Sequence, residues 1–146
     1  MPHTARASGG GYCYRVLDRG NRHAAIFRDD QDRDEFVRRL GLVATTRGLT
    51  IYAWALMPNH VHLLLRTGST PLARAMRSLL TGYAGAFNRR HRRRGHLFQN
   101  RYKSIVVEEE PYRLELVRYL HLPDSAPRRR IQNLFAAIPG FRYSLG

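Results

Sequence analysis

Apolar positions along this chain alternate in some stretches and recur every three to four residues in others, and the switches between the two periods mark its elements. Tyr12 to Leu17 reads as a first strand, followed by a turn over Asp18-Arg19-Gly20-Asn21-Arg22. From Asp30 to Arg47, the residues Phe36, Leu40, Val43 and Ala44 fall at helical spacing, and Gly48 stands where a left-handed cap belongs. Thr50 to Met57 and Val61 to Arg66 are apolar runs on either side of Pro58-Asn59, a strand-turn-strand unit. Proline at the first turn position excludes the type I′ turn of the tightest hairpins, so a slightly wider connection is expected.

A second helix is predicted from Thr70 to Arg89, with Ser69 or Thr70 as its cap and Pro71 at its first position. Its apolar stripe is Leu72, Met76, Leu79, Leu80, Tyr83 and Phe87. Lys103 to Glu108 reads as a fourth strand, and Glu110 to Leu122 as a third helix, opened by Pro111 and closed before Pro123. The order β-α-β-β-α-β is that of the split βαβ, ferredoxin-like α+β domain: an antiparallel four-stranded sheet with two helices on one face. The third helix and the basic, poorly periodic stretch from Pro123 to Gly146 are additions to it. A length of 146 residues with 43% hydrophobic content suits a single domain over 1–146, with a core at about 12–122.

Charge narrows the partner. The chain holds 25 Lys and Arg against 11 Asp and Glu, a net charge of +14, which favours a polyanion and nucleic acid before an anionic membrane. Lys103 is the only lysine, so the positive charge is otherwise guanidinium, a group that suits bidentate phosphate contacts and also reflects genome composition. The single Cys13 excludes an internal disulfide framework, zinc fingers and dithiol redox chemistry. With no apolar signal segment or membrane-length run, the expected place is the cytoplasm, beside the nucleoid.

The candidate chemistry centres on Pro58-Asn59-His60-Val61-His62. Two imidazoles two residues apart on a strand share one face, a natural half-site for a divalent metal, although most such pairs are structural. Asn59 is placed to support the turn or the ligand geometry. A histidine-triad nucleotide hydrolase needs a third histidine where Leu64 stands, and a two-histidine phosphoesterase needs a second His-x-Thr or His-x-Ser motif that the chain lacks.

Three ordered blocks give these residues a family context. Met57-Pro58-Asn59-His60-Val61-His62-Leu63-Leu64, Gly95-His96-Leu97-Phe98-Gln99-Asn100-Arg101-Tyr102-Lys103-Ser104 and Leu114-Glu115-Leu116-Val117-Arg118-Tyr119-Leu120-His121-Leu122 resemble the signature blocks of the single-tyrosine HUH transposases. Arg19-Gly20-Asn21-Arg22 fits the REP-associated tyrosine branch, so the resemblance covers roughly residues 12–122. It implies a DNA nickase and strand transferase acting on single-stranded or hairpin-forming DNA. His60 and His62 would hold Mg²⁺ or Mn²⁺, and Tyr119 would become linked to a 5′ phosphate. Read by periodicity alone, Tyr119 shares a helical face with Tyr112, Leu116 and Leu120 and would be a core aromatic. Relatives of this kind include monomers and dimers, so both remain open here.

One departure touches the metal shell. Where the family carries a polar residue one turn beyond the tyrosine, this chain has Pro123 followed by Asp124. Asp124, His121, Gln99 or water is left to complete the shell, although His121 lies about 200° around the helix from Tyr119. A binding protein on the same fold that has lost catalysis is the competing reading. The run Arg89-Arg90-His91-Arg92-Arg93-Arg94, with Arg101, Tyr102 and Lys103, reads as a phosphate-binding strip, with Tyr102 and Phe98 as base-stacking groups; a solvated helix end and core packing are the plainer alternatives.

Overall fold

The structure, a computed structural model, describes residues 11–107. Among the described residues are four strands, β1 (Cys13–Arg19), β2 (Thr50–Met57), β3 (His60–Arg66) and β4 (Lys103–Val107), and two α-helices, α1 (Asp30–Arg47) and α2 (Leu72–Arg90). The sheet order is β2-β3-β1-β4 and every neighbouring pair is antiparallel. This is the split βαβ arrangement, α+β, that the element order implied. The third helix from Glu110 to Leu122 and the tail after it lie outside the described residues.

Each helix has a local cause. Asp29 caps α1, its side chain accepting the Asp32 N–H at 3.0 Å, and Gly48 closes it at φ 73°, a left-handed conformation that costs glycine nothing. The stripes of α1 (Phe36, Leu40, Val43) and α2 (Leu72, Met76, Leu79, Tyr83, Phe87) are buried against the sheet residues Tyr14, Val16, Val61, Leu63 and Leu65. Full burial of one such large side chain contributes about 1.5–3 kcal/mol. Tyr83 anchors the centre: its hydroxyl donates to the Ile26 carbonyl, and its ring meets Phe27 and Phe36 at 5.5 and 5.2 Å.

Three expectations are corrected. The β2–β3 connection is no wider than the tightest hairpin: Met57 pairs with His60, leaving only Pro58 and Asn59 between the strands. Neither residue adopts a positive φ, so the turn is not of the I′ type that proline forbids. It is stabilised from outside instead, because the Pro58 carbonyl accepts N–H groups of Ile26 and Phe27 at 2.8 and 3.2 Å. At α2, Pro71 is itself the cap, with no side-chain cap hydrogen bond, so the predicted Ser69 or Thr70 cap is not made. Finally, β1 runs on through Asp18 and Arg19, where a turn was expected, because both continue to pair with β3.

Candidate metal and nucleic-acid site

Because β3 starts at His60, alternation sends Val61, Leu63 and Leu65 into the helix-side core and His60, His62 and Leu64 to the opposite face. The two imidazoles lie side by side there, ring centroids 5.1 Å apart and planes at 81°. Register surrounds them on that face: Arg19 and Met57 flank His60, while Leu17 and Ala55 flank His62.

Both rings are held neutral. Burial, then the Arg19 charge, lowers the His60 pKa. Burial, helped by His60, Arg15 and Arg19, takes His62 down to about 3. A neutral imidazole is the form that binds a metal. His60 Nδ1 sits 2.8 Å from Asn59 Oδ1, an acceptor that selects the Nδ1–H tautomer and leaves the Nε2 lone pair unused. That Nε2 is buried and makes no hydrogen bond among the described residues, as a ligand atom awaiting a partner would. The pair therefore fits a divalent ion as two nitrogen donors. Among the described residues no group of three His, Cys, Asp or Glu side chains gathers. Tyr119, His121 and Asp124 lie outside the described residues.

The basic residues divide by use. Arg90 bonds Asp29 at 2.7 Å and the buried Asp32 at 2.6 Å, and His91 joins Asp32 at 2.9 Å, so these two close the end of α2 onto the start of α1. Arg93 folds back onto Asn88 and the carbonyl of His96. Arg89, Arg92 and Arg94 are exposed. Farther along, Arg101, Tyr102 and Lys103 line a groove of about 640 Å³ with Arg19, His23 and Gln99. Lys103 also borders a small cavity of about 70 Å³ shared with His62, Arg15 and Ile105, so a predicted phosphate contact stands beside the histidine pair. Phe98 and Tyr102 are half-buried against the core, their plainer reading, yet both also line a cleft beside α2.

Backbone pairing explains why the separated motifs belong together. Gly20 donates to the Asn59 carbonyl at 2.9 Å, Asn21 to the Leu97 carbonyl at 2.8 Å, and Gln99 to the Arg19 carbonyl at 2.9 Å. The turn after β1 thus joins the His-Val-His hairpin to the His96–Lys103 segment. Sequence reasoning passed over Asp18, which is 4% exposed on the helix side of β1. Its only signal was its place in the alternation, inward beside Tyr14 and Val16.

The chain belongs to the IS200-like transposase family, whose model matches residues 12–122. It is similar in fold to a REP-associated tyrosine transposase bound to a REP hairpin, at 17% identity and a TM-score of 0.58, over 76% of this chain and 64% of that one. The chain thus spans less than two thirds of that structure's length. It is also similar to a candidate transposase from Deinococcus radiodurans R1, at 22% identity and a TM-score of 0.56, over 79% of this chain and 92% of that one. No curated protein matches the sequence. Among the described residues no helix is long and apolar enough to cross a membrane.

Proposed function

We propose that this transposase is a metal-dependent single-strand DNA endonuclease and strand transferase, acting on hairpin-forming DNA through a covalent 5′-phosphotyrosine at Tyr119. The observation that carries the reading is the neutral His60–His62 pair, with His60 Nε2 buried and unbonded among the described residues, in a chain of the IS200-like family. Hairpin DNA as substrate is favoured by the similar fold of a transposase bound to a REP hairpin.

His60 and His62 would hold Mg²⁺ or Mn²⁺, with Asp124, His121 or Gln99 as candidates for a further ligand. When bound, such an ion supplies polarisation of the scissile phosphate and stabilises charge on the leaving oxygen. The chain's own residues do the rest. Asn59 orients the His60 ring, and Lys103, Arg101 and Arg19 draw phosphates toward that face. The Tyr119 oxygen attacks phosphorus, its proton is lost, and the 3′ oxygen leaves and takes up a proton as the hydroxyl. Because the phosphotyrosine bond conserves the phosphodiester's energy, a 3′ hydroxyl can reverse the exchange and join strands without ATP.

The test is denaturing-gel detection of a covalent protein–DNA adduct, using single strands from the gene's own flanks with Mn²⁺ or Mg²⁺. The adduct should require metal and vanish in both Tyr119→Phe and His60→Ala. Tight DNA binding without any adduct would replace this reading with a non-catalytic binding protein.

A further inference from the structure

On the helix side of the sheet, away from the histidines, a cleft of about 570 Å³ opens between α2 and residues 95–102. That volume is in the range that accepts a small organic ligand. Met76, Leu80 and Ala84 form one apolar wall, Phe98 and Tyr102 the other, and Asp18 lies at the bottom. We infer that this cleft is a nucleobase pocket in which the Asp18 carboxylate recognises an unpaired guanine of the bound strand. The inference rests on the DNA-processing reading, yet it needs neither the metal nor Tyr119.

The chemistry follows from what Asp18 offers. Its Oδ1 takes the Arg19 N–H at 2.9 Å, and among the described residues the carboxyl makes no other hydrogen bond and no ion pair. Burial raises its pKa to about 7, as it does for a carboxyl short of partners. An ionised carboxylate is acceptor-only. Guanine is the one DNA base that sets two donors side by side, N1–H and the N2 amine, on its Watson–Crick edge. Adenine and cytosine place a donor beside an acceptor, and thymine has one donor between two acceptors. In a single strand that edge is free to be read.

The surroundings suit a base. Phe98 and Tyr102 provide aromatic faces for stacking. Arg77 and Arg101 stand at the mouth, and the groove bearing Arg19, His23 and Lys103 runs along the other side of the Gln99–Tyr102 segment. A backbone lying over that segment has cations for its phosphates on both sides and a cleft for one base.

The experiment is fluorescence anisotropy of the full chain with labelled oligothymidylate, without divalent ions. Strands carry one central guanine, hypoxanthine, adenine or 7-deazaguanine in place of a thymine. One guanine should tighten binding about tenfold, the scale of a good bidentate base contact. Hypoxanthine, which lacks the amine, should lose most of that gain, and 7-deazaguanine should keep it. Asp18→Asn should abolish the preference and leave oligothymidylate binding unchanged. Thr81→Trp, at an exposed position on the cleft's lining, should do the same by filling the cleft without altering Asp18. A preference that survives both substitutions, or wild type that binds all strands equally, overturns the pocket. Failure to bind any strand at low salt overturns the DNA reading as well; equal binding together with adduct formation overturns the pocket alone.

Discussion

Gly20 and Asn59 are joined by a backbone hydrogen bond of 2.9 Å, which ties the turn that starts the histidine strand to the turn that ends β1. Asn59 thereby serves twice. Its carbonyl holds the hairpin in place, and its side-chain oxygen, 2.8 Å from His60 Nδ1, orients the ring.

Asn59→Ala keeps the first contact and loses the second. Removing a group that orients a metal-ligating histidine typically costs 10–100-fold in affinity. Calorimetric titration with Mn²⁺ should show about that loss, while the unfolding free energy from urea titration falls by about 1 kcal/mol or less. Unchanged Mn²⁺ affinity would detach the amide from the site.

Gly20→Ala tests the joint itself. Gly20 has ordinary extended backbone, φ −67°, so the difficulty is one of space. A β-carbon there would stand 2.0 Å from the Ala24 carbonyl oxygen and 3.1 Å from Ile26 Cγ2. The backbone must yield, at a cost of about 1–3 kcal/mol. Chemical denaturation should show the loss, and Mn²⁺ binding should weaken because the hairpin is displaced.

The arginines after α2 should separate into two groups. Arg90→Ala leaves the buried Asp32 with one cation fewer, so it should lower stability measurably. Arg92→Ala and Arg94→Ala, at exposed positions, should leave stability within about 0.5 kcal/mol. If each contacts a phosphate, the logarithmic salt slope of single-strand binding falls by about 0.7 per substitution. Equal stabilities for all three variants would show that the Arg90 contacts contribute nothing.

Asp18 should leave a signature in the pH dependence of stability. Its pKa rises from 3.8 to about 7 on folding, so between those values the folded protein retains a proton that the unfolded chain releases. Stability from this group therefore falls as pH rises through that window, and the penalty is complete above it. His62 acts oppositely: its pKa drops from 6.5 to about 3, so its contribution is lost as pH falls through that range. The wild-type curve mixes the two. The difference between Asp18→Asn and wild type isolates the carboxyl, and it should grow in favour of the variant from about pH 4 to about pH 7.

Local pattern carried much of this protein. Asp30–Arg47 is a helix by apolar spacing and by the glycine that ends it, and both bounds are as the spacing predicts. The order of the elements implies the four-stranded antiparallel sheet, because β-α-β-β-α-β is the order of the split βαβ domain, in which each helix-linked pair of strands has an antiparallel strand between its members. Strand alternation also places His60 and His62 on one face, since a two-residue period is a property of the backbone and not of its surroundings.

Contacts distant in sequence decided the rest, because their energies depend on which segments meet. Pro58-Asn59 makes a two-residue turn that its own chemistry disfavours, since the Ile26 and Phe27 N–H groups hold it from outside. Arg90 looked like one cation in a run of six basic positions, and only the start of α1 shows that Asp29 and Asp32 claim it. Asp18 read as part of a turn; the continued pairing of β1 with β3 turns it inward, where burial gives a carboxyl a pKa that no sequence position encodes. Spacing along a chain determines which way a side chain points, whereas desolvation and partnership depend on what the fold brings to meet it.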